Sequence, residues 1–585
     1  MDANKDDKDH CDLSIRIGGE AGQGMNSISG MLGKAFVRND LHVFINQDVM
    51  SRIRGGHNYT QIRISNRAVS CPSGRVDILV CLDKNTLELY RDVVDGLIVY
   101  DEGKVRENAP SGPKYLPLPM EKIAEETGGS ARMANSVASG ALMALTGLSL
   151  EPLLELLGEV FSQKGDKVVQ ANRECARRGF AQMKDRPAGP SLCEFHPSGK
   201  EGRRRMLLTG SEAMALGALA SNVRLYSAYP MSPATAIMEY LASKKTEFGI
   251  VVEQAEDEIA AVNMAIGSFF CGARAMTGTS GGGLALMVEG ISLAGMTETP
   301  LVVVDCQRPA PATGFPTRTE QADLLFVTHC AHGEFPRAVL APGNATEAFQ
   351  AIRKAFYLAE KYQTPVFVLG DQALNDSSWT TEPFTLDDRF GEAQSLVSEQ
   401  ALKDMAPFAY ARYEITDPGI SPRLLPGTPG QVLYADSDEH TVAGHITESA
   451  DVRRSMVDKR LRKLAGMREE MAGPKIFPGP DAESYLVCWG STLGAVEETV
   501  QALHAEGANW GYIHFSELYP LPEAPIPREI TQRARLIAVE NNATGQFCKL
   551  LRMETGLAIA EKILKYDGRP FTPDELKARL ETTKG

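Results

Sequence analysis

The sequence lacks the cysteine patterns that hold metal ions or iron–sulfur clusters. Its ten cysteines stand singly along 585 residues, with no Cys-x-x-Cys pair and no cysteine–histidine cluster. The ligand spacings of zinc and iron–sulfur sites are therefore missing. Scattered single cysteines in a long chain are typical of a reducing compartment. We expect this chain to carry no metal centre of its own.

Long apolar runs and an excess of basic residues are also missing. No uninterrupted apolar segment approaches the roughly 20 residues that cross a bilayer, and residues 1–12 (MDANKDDKDHCD) read as a charged tail and not as a signal peptide. The 75 acidic and 61 basic side chains give a net charge of −14, which disfavours nucleic acid or an anionic membrane as a partner. We expect a soluble, cytoplasmic protein.

What the chain does contain predicts several α/β domains, since 585 residues are too many for one core. Strand-like and helical segments alternate, which is typical of α/β folds with a largely parallel sheet. A stretch rich in proline, glycine and charge reads as a linker. The predicted parts are a tail (1–12), a first α/β domain (13–183), the linker (184–205), a second α/β domain (206–375), an irregular connecting arm (376–480) and a third α/β unit (481–585).

Two segments of the first domain are candidate anion sites. The strand Leu13–Ile17 runs directly into GGEAGQG (residues 18–24), and a helix follows from about Asn26. A strand, a glycine turn and a helix N-terminus together form a common phosphate-binding site. The pattern GGxxGxG differs from the dinucleotide-binding motif GxGxxG. Further on, SRIRGGHN (residues 51–58) could clamp a phosphate through its arginines. It could equally be a solvated hairpin turn, which the residues alone favour.

The second domain contains a carboxylate on an apolar helix face. Within EDEIAAVNMAIGSFF, Glu258 is in register with Val262, Ala265 and Phe269, so it shares the predicted buried stripe. A buried carboxylate is costly unless something pairs with it, and such groups are functional candidates. Glu256 falls off this stripe and suits a charged first helical turn, a reading that remains the alternative for Glu258 as well. A small-residue loop, TGTSGGG, follows the helix and has the freedom to approach a ligand closely.

Ser232 and Arg308 are the other candidates in this domain. Ser232 lies between two prolines in YPMSP, and a proline at the first helical position predicts that Ser232 is an N-cap. The alternative is that its hydroxyl also meets a ligand at the carboxyl end of a strand. Arg308 leaves a buried strand into a proline-rich loop, where it suits bidentate carboxylate binding. A surface salt bridge is the alternative for this arginine.

Several of these segments occur together, in the same order, in a known family. GGEAGQG, SRIRGGHN, YPMSP, EDEIAAVNMAIG with TSGGG, RPAPATGFPTRTEQ and the unit from Tyr485 resemble the α subunit of the 2-oxoacid:ferredoxin oxidoreductases, in the form with a γ domain fused ahead of it. The resemblance implies a γ-type α/β domain, a pyrimidine-type thiamine-diphosphate-binding domain and a transketolase C-terminal-like α/β domain. Met231 and Ser232 depart from the family's YPITP, and Gly282 stands where many relatives have proline.

The resemblance also implies roles for individual residues. Glu258 would hydrogen-bond the aminopyrimidine of thiamine diphosphate and promote formation of the nucleophile, with Glu256 as the fallback if the register is shifted. Ser232 matches the threonine of YPITP. Arg308 and Thr317 match the residues that hold the carboxylate and carbonyl end of the substrate.

Coenzyme A would be seated with help from the γ domain, which strengthens the anion-binding reading of Gly22, Gly24 and Arg52. Nothing in the sequence resembles the GDG…N motif for magnesium diphosphate or the cysteines of a [4Fe–4S] cluster. In this family both belong to the β subunit. The resemblance therefore implies an (αβ)₂ assembly with the active site at the subunit interface, and oxidative decarboxylation of a 2-oxoacid with coenzyme A as acyl acceptor and ferredoxin as electron acceptor.

The fused γα arrangement and the EDEIAA motif look most like the 2-oxoglutarate subgroup. The pyruvate and branched-chain 2-oxoacid enzymes remain alternatives. A self-contained thiamine enzyme of the transketolase type is disfavoured by the missing diphosphate motif. A non-catalytic binding or regulatory subunit is disfavoured because Glu258, Ser232 and Arg308 are all present.

Overall fold

The computed structural model describes residues 10–20, 22–51, 56–105, 112–185, 192–193, 195, 204–391 and 393–582. By compactness the chain divides into two units. The first comprises Met1–Leu208, Ser377–Pro383 and Phe571–Gly585, and the second comprises Thr209–Asp376 and Phe384–Pro570. Most of the predicted tail and linker falls outside the described residues, and the other predicted domain boundaries stay predictions.

Within the described ranges, twenty strands form three sheets. They are β1 Asp12–Glu20, β2 His42–Asp48, β3 His57–Ser65, β4 Val76–Cys81, β5 Val94–Tyr100, β6 Tyr115–Pro117, β7 Met206–Thr209, β8 Leu225–Ala228, β9 Val251–Gln254, β10 Ala275–Thr279, β11 Leu301–Gln307, β12 Ala338–Leu340, β13 Pro365–Asp371, β14 Ser378–Thr381, β15 Lys475–Phe477, β16 Ser484–Trp489, β17 Trp510–Phe515, β18 Glu517–Tyr519, β19 Arg535–Glu540 and β20 Glu561–Leu564.

The α-helices alternate with these strands along much of the chain. They are α1 Met25–Arg38, α2 Lys84–Tyr90, α3 Met120–Gly128, α4 Ala134–Leu145, α5 Glu151–Phe161, α6 Asp166–Met183, α7 Gly210–Ala220, α8 Thr235–Phe248, α9 Glu258–Phe270, α10 Gly281–Met296, α11 Leu324–His329, α12 Ala345–Tyr362, α13 Gln372–Asp376, α14 Glu399–Asp404, α15 Ala450–Glu470, α16 Leu493–Ala505, α17 Arg528–Thr531, α18 Gln546–Thr555 and α19 Pro573–Thr582.

The first unit contains a mixed eight-stranded sheet in the order β6-β5-β4-β1-β3-β2-β14-β7. Strands β1, β4, β5 and β6 pair in parallel, whereas β3 runs antiparallel to both β1 and β2. The prediction of a largely parallel sheet is therefore wrong. The physical reason is the short connection between β2 and β3, which allows a hairpin but no crossover. The strands that flank residues 51–58 pair antiparallel, with Asp48 opposite Tyr59, while residues 52–55, on which the turn prediction falls, lie outside the described residues. Strand β7, predicted to open the second domain, instead joins the edge of this sheet next to β14.

Helices α4 and α6 pack against each other through two glycines. A Cβ atom at Gly140 would lie 1.9 Å from the carbonyl oxygen of Ala176, and one at Gly179 would lie 2.0 Å from that of Val137. The two helix backbones therefore touch where side chains are absent. Apolar side chains of both helices belong to the same buried cluster as side chains of β1 to β5 and α1.

The second unit contains two largely parallel sheets. The seven-stranded sheet has the order β18-β12-β13-β11-β10-β8-β9, and the five-stranded sheet has the order β15-β17-β16-β19-β20. Strands β8, β10 and β11 are parallel neighbours, so their carboxyl ends meet at one edge. In open α/β sheets ligands bind at this edge. Helices α9 and α10 directly precede and follow β10 and bring their N-terminal turns to the same place.

Helix α15 of the predicted connecting arm holds a buried ion cluster in the second unit. The Glu298 carboxylate accepts from Lys459 Nζ at 2.6 Å and lies 2.5 Å from Lys463 Nζ, and all three side chains are almost fully buried. Arg412 donates to the backbone carbonyl of Glu298 at 2.7 Å. Burial lowers the pKa of Lys459 to about 8 despite this partner, and the two lysines hold the pKa of Glu298 well below its usual range.

One disulfide and one buried histidine bear on the predictions made for these residue types. Cys11 and Cys193 form a disulfide, with Cα atoms 5.5 Å apart, so the expectation of singly standing cysteines is wrong for this pair. Sequence spacing could not reveal it, because 182 residues separate the two. His440 of the arm is fully buried, and its ring nitrogens lie near the carbonyl oxygens of Thr441 and Met296. His440 is therefore a core residue whose ring contacts backbone carbonyl groups.

In the described part of the chain, no helix combines the length and the apolar character required to span a membrane.

Replacing Glu298 by glutamine should destabilise the second unit strongly. Glu298→Gln leaves two buried lysines without a counter-charge, and breaking a buried ion cluster from one side costs about 3–5 kcal/mol. The free energy of unfolding, measured by denaturant titration, is the readout. Glu289→Gln, at an exposed position of α10, the helix that ends two residues before Glu298, is the matched control and should change stability by no more than about 0.5 kcal/mol. Equal effects of the two substitutions would contradict a stabilising role for the cluster.

Candidate active site

Glu258 is the first residue of α9 and is buried. The helix starts there because the Asp257 side chain accepts a hydrogen bond from the Ala260 N–H at 2.7 Å and caps the first turn. Glu258 is 4% exposed, and its stripe partners Val262, Ala265 and Phe269 are buried with it. The predicted buried stripe is therefore confirmed. Glu256 precedes the helix and is exposed.

The Glu258 carboxylate packs against the glycine loop at the start of α10. A Cβ atom at Gly283 would lie 2.1 Å from Thr279 Oγ1 and 2.5 Å from Glu258 Oε1, so only glycine fits where these groups meet. Among the described residues, Glu258 Oε1 is buried without a hydrogen-bond partner. An unpaired buried carboxylate oxygen is costly. This atom is therefore suited to a donor group that a bound ligand would bring.

The YPMSP segment reaches the same loop through a sulfur atom. Ser280 Oγ donates to Met231 Sδ at 2.8 Å, and Thr279 Oγ1 lies 3.7 Å from the same sulfur. Met231 stands where the family pattern has isoleucine. Methionine is also apolar, but its sulfur is a weak hydrogen-bond acceptor. Through this sulfur, Met231 connects the segment after β8 to the loop after β10.

Ser232 and Arg308 are brought together, although Ser232 does not cap a helix. Arg308 Nη1 donates to the backbone carbonyl of Ser232 at 2.9 Å, which connects the segment after β8 to the loop after β11. The N-cap prediction for Ser232 is wrong. The chain makes a further turn, closed by the Thr235 N–H on the carbonyl of Met231, and α8 begins only at Thr235 with Ala234 in the cap position. The Ser232 residue is exposed.

Arg308 keeps most of its hydrogen-bonding capacity. Its guanidinium group is partly buried, and the bond to Ser232 is its one hydrogen bond to the described part of the chain. Desolvation lowers the pKa of Arg308, while the nearby charge of Asp323 raises it. A planar group with free donors in this setting matches a carboxylate. Thr317 lies in the same loop and is partly buried.

Three acidic residues near Arg308 were not identified from the sequence. Asp305, at the end of β11, is fully buried and burial raises its pKa well above the usual value. Burial also raises the pKa of Asp323 to about 6 and that of Glu320 to about 7, and the charge of Asp323 contributes to the shifts of Asp305 and Glu320. One signal could have found Asp305, because it is the only charged residue in the apolar strand LVVVDCQ.

The first unit contains a separate cavity of about 540 Å³ at its glycine turn. The cavity lies beyond the carboxyl ends of the parallel strands β1, β4 and β5 and beside the N-termini of α1, α3 and α4. Gly22 and Gly24 have φ angles of 93° and 78°, which favour glycine. Arg52 lies outside the described residues. The cavity lining comprises Gly22, Gln23, Gly24, Leu82, Asp101, Met120, Glu121, Ala131, Arg132, Ala134 and Asn135.

Comparison with protein families gives two matches. Residues 14–182 match a family described as pyruvate ferredoxin/flavodoxin oxidoreductase. Residues 216–459, which include Glu258, Ser232 and Arg308, match a family described as pyruvate flavodoxin/ferredoxin oxidoreductase, thiamine diphosphate-binding. The chain is thus part of an oxidoreductase with a thiamine-diphosphate-binding domain.

Individual relatives define the family more narrowly. The chain is 32% identical to a 2-oxoacid:ferredoxin oxidoreductase subunit alpha of Sulfolobus sp., over 97% of this chain and 96% of the relative. It is 29% identical to 2-oxoglutarate oxidoreductase subunit KorA of Mycobacterium tuberculosis, over 96% and 90%. A solved structure of 2-oxoglutarate:ferredoxin oxidoreductase from Magnetococcus marinus, with 2-oxoglutarate, coenzyme A and succinyl-CoA bound, matches with a TM-score of 0.89 and 32% identity, over 98% and 99%. This chain belongs to the α-subunit family of the 2-oxoacid:ferredoxin oxidoreductases, which confirms the resemblance and the multi-domain α/β fold.

The glycine loop offers a direct test of the packing around Glu258. Gly283→Ala would place a methyl group against Glu258 and Thr279, and we expect a loss of about 1–3 kcal/mol of stability from overpacking. Gly282→Ala is the matched control, since a Cβ atom there meets nothing within 4 Å. This control should be neutral or stabilise by about 0.5–1 kcal/mol, because alanine favours a helix over glycine. Denaturant unfolding measures both, and a tolerated Gly283→Ala would show that the loop does not fix Glu258.

Proposed function

We propose that this chain is the α subunit of a 2-oxoglutarate:ferredoxin oxidoreductase. The enzyme would convert 2-oxoglutarate and coenzyme A to succinyl-CoA and carbon dioxide, in either direction, and exchange electrons with ferredoxin. The observation that carries the proposal is the buried Oε1 of Glu258, which has no hydrogen-bond partner in the described part of the chain and is held against Gly283 within the matched thiamine-diphosphate-binding region. The fused γ-type domain and the two 2-oxoglutarate enzymes among the relatives support the substrate. Pyruvate and branched-chain 2-oxoacids are the alternatives.

The residues present fit thiamine diphosphate. Glu258 offers a buried acceptor that lacks a protein donor, and the start of α10 offers backbone without side chains. When bound, the cofactor supplies a nucleophilic carbon and an electron sink for decarboxylation. Glu258 would hold or release a proton at Oε1 toward the pyrimidine ring, in a site with little water to compete for it.

The substrate would be oriented by the loop after β11. Arg308 would pair with the 2-oxoacid carboxylate through donors that its bond to Ser232 leaves free. Ser232 contacts Arg308 through its backbone carbonyl, and Thr317 follows Arg308 in the same loop. The hydroxyl groups of Ser232 and Thr317 would bind the carboxylate or carbonyl end. Fixing the carboxylate orients the keto carbon for reaction.

A β subunit would complete the site. The sequence has no diphosphate-binding motif, so Mg²⁺ and the cofactor's diphosphate, together with the [4Fe–4S] cluster, are assigned to that partner in an (αβ)₂ assembly. Large apolar side chains beside the site support this, since Ile259, Met264 and Leu286 of α9 and α10 are 45%, 41% and 50% exposed. An apolar patch of this kind marks a protein interface.

Coenzyme A would bind in the cavity of the first unit. The N-termini of α1 and α4 would attract phosphate, and Arg132 adds a positive charge to the lining. At the N-terminus of α3, Asp101 already accepts from the Glu121 N–H at 2.9 Å. Gly22 and Gly24 would let the backbone approach the ligand. Arg52 keeps the same proposed role on sequence grounds alone.

Glu258→Gln should reduce turnover by at least about a hundredfold, which is the low end for a lost acid–base group. Glutamine preserves the side-chain shape, so co-purification with the β subunit should persist. Electron transfer to viologen, with the native complex as reference, is the measurement. Turnover kept in Glu258→Gln and lost in Glu256→Gln would move the role to Glu256.

Arg308→Ala should mainly weaken use of the 2-oxoacid. The loss in kcat/KM is expected to correspond to on the order of 2–4 kcal/mol, since the arginine would pair a desolvated carboxylate. Arg224→Ala is the matched control, because Arg224 is exposed and precedes the opposite end of β8. Unchanged KM and kcat in Arg308→Ala would refute the substrate role.

The substrate assignment is tested by viologen reduction with the chain co-purified with its β partner. Coenzyme A would be supplied with 2-oxoglutarate, pyruvate or 2-oxoisovalerate in turn. Preference for 2-oxoglutarate would support the proposal, and preference for another acid would keep the mechanism but change the substrate. Absence of activity in an intact complex that contains its cluster would favour a binding or regulatory subunit.

A further inference from the structure

The loop that carries Arg308 is tied down at its base. This segment, the β11–α11 loop, comprises residues 308–322. The Asp323 N–H donates to Gln307 Oε1 at 2.9 Å, and Gln307 Nε2 donates to the carbonyl oxygen of Gly370 at 2.9 Å. Gln307 is fully buried. One buried side chain therefore joins the two ends of the loop to each other and to β13.

The second half of the β11–α11 loop rests on a turn that follows β20. The Thr319 N–H donates to the carbonyl oxygen of Gly568 at 3.3 Å. A Cβ atom at Gly568 would lie 3.0 Å from Arg318 Cβ and 3.3 Å from Phe315 Cδ2, so side chains of the loop pack against the glycine backbone. Because Thr317 lies in the chain between Phe315 and Arg318, these contacts support the backbone that carries the Thr317 side chain.

Asn541, which directly follows β19, joins that turn to the loop. Its Nδ2 donates to the carbonyl oxygens of Lys565 and Arg569 at 3.1 Å and 3.2 Å, which are the two ends of the turn. Its backbone N–H donates to Gln321 Oε1 at 2.9 Å, and its carbonyl oxygen accepts from the Gln321 N–H at 2.7 Å. Asn541 is 2% exposed and Gln321 is fully buried. Asn541 therefore binds the turn with its side chain and the loop with its backbone.

Other side-chain amides hold the same part of the loop. Gln546 of α18 donates to the carbonyl oxygen of Ala322 and accepts from the Leu325 N–H at 2.9 Å. Gln321 Nε2 donates to the carbonyl oxygen of Trp489 at 2.8 Å. Satisfied networks of buried polar groups make the chain rigid. Hydrogen bonds from buried amides thus fix the path by which the loop returns to α11.

We propose that Asn541 is a positioning residue for the 2-oxoacid, which holds the β11–α11 loop so that the Thr317 hydroxyl group keeps its place relative to the Arg308 guanidinium group. Asn541 acts through the loop and takes no part in the chemistry. Rigid support matters because a displacement of about 1 Å in a binding group can cost about a hundredfold in rate. The inference rests on the proposed function to the extent that Thr317 and Arg308 are taken as substrate ligands.

The kinetic test uses Asn541→Leu in the enzyme assembled with its β subunit. Leucine has nearly the shape of asparagine and adds no charge, but it removes both donors to the turn. The KM for 2-oxoglutarate, measured by viologen reduction, should rise about tenfold. The KM for coenzyme A should not change, because that ligand is assigned to the first unit. An equal rise of both KM values would indicate general damage and would overturn the proposal.

Asn509→Leu is the matched control for this substitution. Asn509 is exposed, directly precedes β17 of the same sheet, and donates through Nδ2 to the carbonyl oxygen of Asp481 at 3.3 Å. The control should leave both KM values unchanged. Gln321→Met tests the same support from the side of the loop, since it removes the acceptor for the Asn541 N–H. It should raise the KM for 2-oxoglutarate, and it carries the test where Asn541→Leu does not assemble.

A double-mutant cycle separates positioning from a merely structural role. Thr317→Val removes the hydroxyl group that Asn541 is proposed to hold in place. Residues that act through one another have non-additive effects, so Asn541→Leu should lower kcat/KM by a much smaller factor in the Thr317→Val background than in the native one. The same factor in both backgrounds would refute the positioning role.

Amide hydrogen exchange distinguishes failure of this inference from failure of the proposed function. Asn541→Leu should speed the exchange of the Thr319 and Gln321 N–H groups, whose acceptors lie on the turn and on Asn541. If exchange is faster but Asn541→Leu, Thr317→Val and Arg308→Ala all leave KM unchanged, the substrate assignment fails while the support of the loop stands. If Thr317→Val and Arg308→Ala raise KM while Asn541→Leu changes neither exchange nor KM, the proposed function stands and the positioning role fails.

Discussion

The contact between the Glu258 carboxylate and the backbone of Gly283 sets how α9 and α10 meet at the end of β10. It requires a glycine at one position and a buried acid at the other, and it leaves one carboxylate oxygen without a donor. An unsatisfied buried group of this kind costs on the order of 1–3 kcal/mol. The apolar remainder of α9 packs in the core and offsets that cost. The fold can therefore keep Glu258 Oε1, which has no donor among the described residues, at the carboxyl ends of the strands.

Buried charges elsewhere in the second unit behave differently. Glu298 has two lysine partners, and Glu360 forms two hydrogen bonds with Arg274. Both carboxylates thus have cationic partners within the protein. Glu258, Asp305 and Asp323 all have unpaired buried oxygens, and all three gather around the first turn of α10. Within one unit, the presence or absence of a protein partner thus separates structural carboxylates from candidate functional ones.

The sequence predicted the parts of this site that depend on local periodicity. Glu258 was found because helical spacing alone places it with Val262 and Phe269 on one face. Ser232 was misassigned as a cap because proline can follow a turn as well as open a helix. The mixed sheet was missed because strand composition does not report strand direction. Asp323 could not be found from the sequence, because only the folded chain brings its carboxyl group against Gly281.

The exposed apolar side chains near the candidate site can be related to its unpaired oxygens. Glu258, Asp305 and Asp323, whose buried oxygens have no hydrogen-bond partner among the described residues, lie near the edge where β8, β10 and β11 end. Exposed Ile259, Met264 and Leu286 lie on the helices that border this edge. A partner that covers these side chains would also exclude water from Glu258 and Arg308, and their interactions with ligand would strengthen in the lower dielectric. The apolar surface and the unpaired oxygens both fit the proposed arrangement, in which this chain would supply the acid and the cation while the remaining donors would come from the cofactor and the β subunit.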